Sequence, residues 1–267
     1  MRKLFCLIAM LLLTALICTA GAEDLIVESG RREQNNLQLV SRNCFSPCDE
    51  AVIVLFELAN RGNNIIHFDV SKSAVDFYDA SGNVIHTETG LYPMPSWYIR
   101  PGQRTFIKCW ILKDQNPEAF PAITQAADYR LRAELMNFDG KNADHFLPKI
   151  MKSDFTWEKR KSTWFERTFL SLGSHTYEFT GTITNDTGED IDTYGAGFEY
   201  AAVLMDENGA PIYIDQSSTY FNESIMKLKA GETRKYHFEV NDAWGLFAFF
   251  EKYDFTISSA YVIVYKH

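Results

Sequence analysis

The feature that most constrains this chain is internal repetition. A β-strand pattern closed by an Asn turn, an Asp-x-x-Gly turn and a final x-Gly turn recurs in the same order about 127 residues further on. The first copy reads Asn60-Arg61-Gly62, then Asp79-Ala80-Ser81-Gly82, then Pro101-Gly102. The second reads Asn185-Asp186-Thr187-Gly188, then Asp206-Glu207-Asn208-Gly209, then Ala230-Gly231. Small drifts in spacing are what loop insertions produce, so the order implies duplication of one folding unit.

Residues 1–22 read as a signal peptide. Arg2 and Lys3 precede an apolar run from Leu4 to Cys18, and Ala20-Gly21-Ala22 offers a small-x-small cleavage site. The run is shorter than a bilayer crossing needs, and Ile17 before Cys18 does not fit a lipid-attachment signal. The mature chain is expected to begin near Glu23, with no transmembrane segment. The chain carries a formal net charge of −9, and removing the leader makes it more acidic, which disfavours nucleic acid and anionic lipid as partners.

Three of the five cysteines, Cys44, Cys48 and Cys109, lie beyond the leader. Export permits a disulfide. Cys44-Phe45-Ser46-Pro47-Cys48 reads as a tight turn that brings Cys44 and Cys48 within bonding distance. Cys109 shares a strand face with Ile107 and Ile111 and reads as core; pairing of Cys109 with either of the others is the rival arrangement. No second ligand pair with zinc-finger spacing accompanies them.

Strand signals dominate both halves. In the first, Ala51–Ala59, Ile65–Tyr78, Val84–Thr87, Arg104–Leu112 and Tyr129–Leu135 are expected strands. In the second they are Tyr177–Thr184, Phe198–Met205, Pro211–Ile214, Arg234–Val240 and Ile257–Tyr265. Short helices are expected from Asn116-Pro117-Glu118 and, capped by Asn241-Asp242, over Ala243–Tyr253. The opening segments 24–28 and 154–158 correspond loosely. The expectation is all-β: two tandem immunoglobulin-like antiparallel β-sandwich domains, 23–150 and 151–267. Lys149, Lys152, Lys159, Arg160, Lys161 and Arg167 make the join locally basic, suited to intramolecular pairing, solvation or partner docking.

Val75-Asp76-Phe77-Tyr78-Asp79, with Gly82 and Pro101-Gly102, resembles the FxLYD-type immunoglobulin-like modules of exported Gram-positive bacterial proteins. The second copy carries the related Ala202, Leu204-Met205-Asp206. The resemblance implies an extracellular β-sandwich and brings no catalytic residues with it.

The usual catalytic motifs, Gly-x-Ser-x-Gly, His-Glu-x-x-His, a phosphate loop and Gly-x-Gly-x-x-Gly, do not occur. Gly195-Ala196-Gly197 lacks the right spacing and reads as close packing. His67, His86, His145, His175, His237 and His267 are scattered, and no two share a metal-ligand spacing. Asp186, Glu189, Asp190 and Asp192 form a loop dense enough in oxygen to consider calcium, yet the first copy has Arg61, Asn63 and Asn64 there, which favours a solvated acidic loop. Neither a cofactor nor a metal is expected. Asn185-Asp186-Thr187 and Asn222-Glu223-Ser224 fit the glycosylation triplet.

The most suggestive surface is Tyr92-Pro93-Met94-Pro95-Ser96-Trp97-Tyr98, with Tyr220-Phe221 at the comparable place. Its rings suit protein interfaces or sugar stacking, and equally suit covering an open end of the core. Tyr92, Trp97 and Tyr98 are therefore the candidate ligand-binding residues of a non-catalytic binding or adhesion module, secreted or held in the cell envelope, with a protein or glycan partner. A hydrolase whose site lies at the junction, where Trp157, Trp164 and the basic stretch converge, and a ligand-free spacer are the alternatives.

Overall fold

A computed structural model of the chain describes residues 25–28, 36–137, 147, 149–169, 175–192, 198–217, 227–241 and 257–266. The expected leader, Gly195–Gly197, Tyr220-Phe221, the Asn222 triplet, His145, His267 and the Ala243–Tyr253 helix lie outside them. The described chain is all-β.

The first half contains β1 (Leu25–Glu28), β2 (Leu37–Cys48), β3 (Ala51–Asn60), β4 (Ile66–Phe68), β5 (Ala74–Tyr78), β6 (Val84–Glu88), β7 (Leu91–Met94), β8 (Tyr98–Ile99), β9 (Arg104–Leu112), α1 (Phe120–Ile123) and β10 (Asp128–Asn137). The second contains β11 (Lys149–Lys161), α2 (Trp164–Phe169), β12 (His175–Thr184), β13 (Ile191–Asp192), β14 (Phe198–Met205), β15 (Pro211–Ser217), β16 (Lys227–Leu228), β17 (Thr233–Asn241) and β18 (Ser259–Lys266). Among the described residues no sheet mixes strands of the two halves.

The pairings repeat. The order β2-β3-β9 in the first half matches β11-β12-β17 in the second, β6-β5-β10 matches β15-β14-β18, and β4-β8 matches β13-β16. By this pairing β11 is the counterpart of β2. The expected match of 24–28 with 154–158 is thereby corrected: β1 instead runs parallel to β10.

The turns repeat bond by bond. Asn60 Nδ2 donates to the carbonyls of Asn64 and Ile99, each at 2.8 Å, and Asn185 Nδ2 donates to those of Glu189 and Leu228 at 2.8 and 2.9 Å. Each Asn Oδ1 accepts the N–H two residues on, from Gly62 and from Thr187. Both side chains are fully buried. Likewise Asp79 Oδ1 accepts the N–H groups of Ser81 and Asn83, as Asp206 Oδ1 accepts those of Asn208 and Ala210. Gly82 and Gly209 close these turns at φ of 82° and 75°, a left-handed conformation that a Cβ strongly disfavours. In the Asn185-Asp186-Thr187 triplet, Asn185 is buried and its amide nitrogen donates inside the fold.

The first core lies between the two sheets of the first half. It is built from Val52, Val54, Phe56 and Leu58 of β3, Ile107, Cys109 and Ile111 of β9, Val75 and Phe77 of β5, and Leu131, Ala133 and Leu135 of β10. Yet every residue of β3 is buried. Its other face, Ala51, Ile53 and Leu55, joins Phe106 and Met94 in the core of the second half. The sheet β2-β3-β9-β7 therefore has apolar contacts on both faces. The covering surface is the β15-β14-β18 side of the second half, where Val203 stands in register with Ile214 and Tyr261. Arg104 lies 5.5 Å from the Tyr261 ring, Lys108 Nζ reaches the Ile214 carbonyl at 3.4 Å, and Asn43 Nδ2 reaches that of Pro211 at 3.1 Å.

Three local expectations change. β2 runs on through Cys48, with a bulge after Phe45, and the chain reverses at Asp49-Glu50. Cys44 carries a free thiol in this strand; the side chain of Cys48, the other half of the expected bridge, lies outside the described residues. The first helix begins at Phe120, not near Pro117, and is a single turn. A second short helix, α2, was not expected. Its signal was present as Thr163-x-x-Glu166, a capping box in which Glu166 Oε2 accepts the Thr163 N–H at 2.6 Å and Thr163 Oγ1 accepts the Glu166 N–H at 3.2 Å.

If the buried Asn turns are the shared frame, Asn60→Ala and Asn185→Ala each take the side-chain donor from one buried and one part-buried carbonyl and cost about 1–3 kcal/mol. Equilibrium denaturation of the two variants checks this, and a cost below about 0.5 kcal/mol for either contradicts it.

Candidate functional site

The segment Leu91–Ile99 is anchored at alternate points. Met94 and Ser96 are buried, and Thr105 Oγ1 donates to the carbonyls of Met94 and Ser96 at 3.0 and 3.4 Å. Ser96 Oγ accepts the Tyr98 N–H at 3.1 Å, and the Trp97 carbonyl accepts the Phe68 N–H at 2.7 Å. Between these anchors the Met94–Pro95 peptide is cis. The Trp97 side chain nonetheless keeps 52% of its surface in solvent and Tyr92 keeps 61%.

The three expected residues do not form one cluster. Tyr92 lies on β7 opposite Lys108 of β9, on the face that carries Phe106 and Met94 toward the second half. Trp97 and Tyr98 lie at the edge of the other sheet, where β8 pairs with β4. There the Tyr98 ring stacks on His67, with centroids 4.4 Å apart and planes 16° apart. Met136 of β10 follows in register with His67 and is itself exposed. The row Tyr98, His67, Met136 thus crosses three strands on one face, and Trp97 precedes Tyr98 in the chain. Burial lowers the His67 pKa, opposed by the nearby Asp69 carboxylate, so the ring stacks as a neutral imidazole at neutral pH. His67 and Met136 were not singled out from the sequence. Strand alternation in Ile66-His67-Phe68 marks His67 as outward, but only the register brings it to Tyr98.

The other candidates resolve individually. In the acidic loop, Asp186 Oδ1 accepts the Lys152 N–H at 3.3 Å, Asp190 Oδ1 accepts the Ala230 N–H at 2.8 Å, and Glu189 pairs with Lys149 at 3.2 Å. These carboxylates serve separate protein donors. Of the basic stretch, Arg160 is bound inside the second half, to Glu166, Glu178 and Glu239. Its guanidinium, followed by the Thr163 N–H, holds the Glu166 carboxyl at about 2.

Trp157 packs against the second core and lies 6.0 Å from the Tyr177 ring. Trp164 stands exposed on α2, in contact with Phe169. At the junction itself, a cleft of about 540 Å³ is lined by Arg100, Pro101, Gly102, Gln103, Lys149, Ile150, Asp186 and Thr187. Neither tryptophan lines it, and Asp186 is its one carboxylate.

The chain matches no protein-family model, and no curated protein aligns significantly with it.

Cys44 and Cys109 both stand opposite Val54, on either side of β3. Two strand spacings, about 10 Å, exceed disulfide reach. Burial pushes the Cys44 thiol up to about 12, against the opposing charge of Arg42, and burial also holds the Cys109 thiol well above the usual thiol range, with Glu88 and Cys44 adding to it. Since the thiolate is the nucleophile, both thiols should resist iodoacetamide at pH 8 in the native protein, as mapped by mass spectrometry. Rapid native modification of either contradicts this placement.

Proposed function

We propose that this chain is an exported, non-catalytic binding or adhesion module made of two tandem immunoglobulin-like sandwiches of the FxLYD type, acting outside the cell or in its envelope. One observation carries the reading. Trp97 is held half-exposed on a segment whose neighbours are buried and hydrogen-bonded, so the ring is presented without needing to order a loop on binding. Preorganised aromatic anchors of this kind dominate interface energetics.

Tyr98 adds a second surface. Its ring stacks on His67, which fixes its orientation at the same sheet edge. The partner class is a protein or glycan surface that stacks on rings. Catalysis is not required by this arrangement, and the duplicated frame serves to hold the strand ends in place.

The test is Trp97→Ala, carried through a glycan and protein binding screen against the parent chain. Binding to whatever partner the screen identifies should fall at least about tenfold, while unfolding free energy changes by no more than about 0.5 kcal/mol. A loss of several kcal/mol in stability would instead make Trp97 a cover for the core, and unchanged binding would move the recognition surface elsewhere.

A further inference from the structure

The solvent face of β11-β12-β17 carries a second constellation that the proposed recognition surface does not use. Glu178 of β12 and Glu239 of β17 are directly opposite in register, and His237 precedes Glu239 by two residues, on the same face. Ligand atoms of Glu178, His237 and Glu239 all lie within 4.8 Å of one another. Two carboxylates placed opposite each other on one face are unfavourable unless a cation lies between them.

His237 is oriented from outside this trio. Its Nδ1 shares a hydrogen bond of 3.2 Å with Thr180 Oγ1, while Nε2 stands 3.8 Å from Glu239 Oε1. An imidazole fixed through one nitrogen and directing the other at carboxylates is the arrangement metal-binding histidines use. Arg160 is the resident cation, with Nε on Glu178 and Nη2 on Glu239 at 3.0 Å. It also holds both oxygens of Glu166, at 2.8 and 2.7 Å. Within this hydrogen-bonded set one guanidinium serves three carboxylates, so two negative charges are left over.

We propose that Glu178, His237 and Glu239 form a binding site for a divalent transition-metal ion of the Zn²⁺ class, with Arg160 as its internal competitor. The ion takes one imidazole nitrogen and two carboxylates, and water fills the remaining positions. Arg160 withdraws to the two Glu166 oxygens it already holds, which keeps its charge paired and leaves α2 tied to β11. A mixed nitrogen and oxygen set favours Zn²⁺, Ni²⁺ or Cu²⁺ over Mg²⁺ and Ca²⁺. The site is open to solvent, since His237 is about half exposed and Glu239 about one third.

Isothermal titration of the intact, chelator-stripped chain with ZnCl₂, and separately with MgCl₂, tests this. Saturable binding of one Zn²⁺ is expected, with no comparable Mg²⁺ heat. His237→Ala and Glu239→Gln should each weaken Zn²⁺ binding by about tenfold or more, with circular dichroism melting unchanged for the exposed His237→Ala. Arg160→Gln should bind Zn²⁺ at least as tightly as the parent, an outcome that a purely structural role for the cluster does not give. The absence of saturable Zn²⁺ binding up to millimolar metal overturns the proposal, as does undiminished binding in both the His237 and Glu239 variants. Weaker binding in Arg160→Gln overturns the competitor role.

Discussion

The strand β3, central to the sheet β2-β3-β9-β7, has no free face, and much of the molecule follows from that. One side of β3 closes the first core with Val52, Val54, Phe56 and Leu58, while the other presents Ala51, Ile53 and Leu55 to the second half. Removing either layer would expose a row of apolar side chains to water, at roughly 25 cal/mol for each Å² of apolar surface. The polar residue on that outer row is compensated. Glu57 is buried, but its carboxylate accepts from Ser41 Oγ at 2.9 Å and pairs with Arg104 at 2.5 Å, and Arg104 continues to the Tyr261 ring. A buried carboxylate is tolerable only when its oxygens are occupied in this way.

Repeated turns and shared packing therefore operate at different levels. The Asn and Asp turn frames are retained in both copies because each supplies hydrogen bonds that no apolar substitute can make. Packing has diverged instead. β14 is buried along Ala201–Met205, so it too lacks a solvent face, and the second core extends without a break into residues of the first half. The two halves share an apolar layer, and the Trp97 segment and the Glu178, His237 and Glu239 cluster lie on opposite halves.

Much of this was legible in the residues. Punctuation by Asn, Asp and Gly announced the strands, the repeat and the all-β class, since those residue types answer to local backbone geometry. The run Ala51-Val-Ile-Val-Leu-Phe56 also held more information than its reading as a strand used: it does not alternate, and a strand apolar on both sides is one buried on both sides. Thr163-x-x-Glu166 likewise spelled a helix start. What local pattern does not contain is register. The meeting of Tyr98 with His67, of Glu178 with Glu239, and the placing of Cys44 and Cys109 on either side of Val54 are cross-strand facts. The expected turn at residues 44–48 changed for a related reason: Ser46-Pro47 suggested a reversal, but a bulge absorbed it and the strand continued.

The central claim is that the shared apolar layer makes the two halves one cooperative unit. Guanidinium denaturation of the intact chain, followed at once by tryptophan fluorescence and far-ultraviolet circular dichroism, measures this directly. The account predicts one transition with coincident midpoints in the two signals, and Leu55→Asp, which places an unpaired charge in the layer, should split it. Two separated transitions in the parent chain would contradict the claim and return the halves to independent domains.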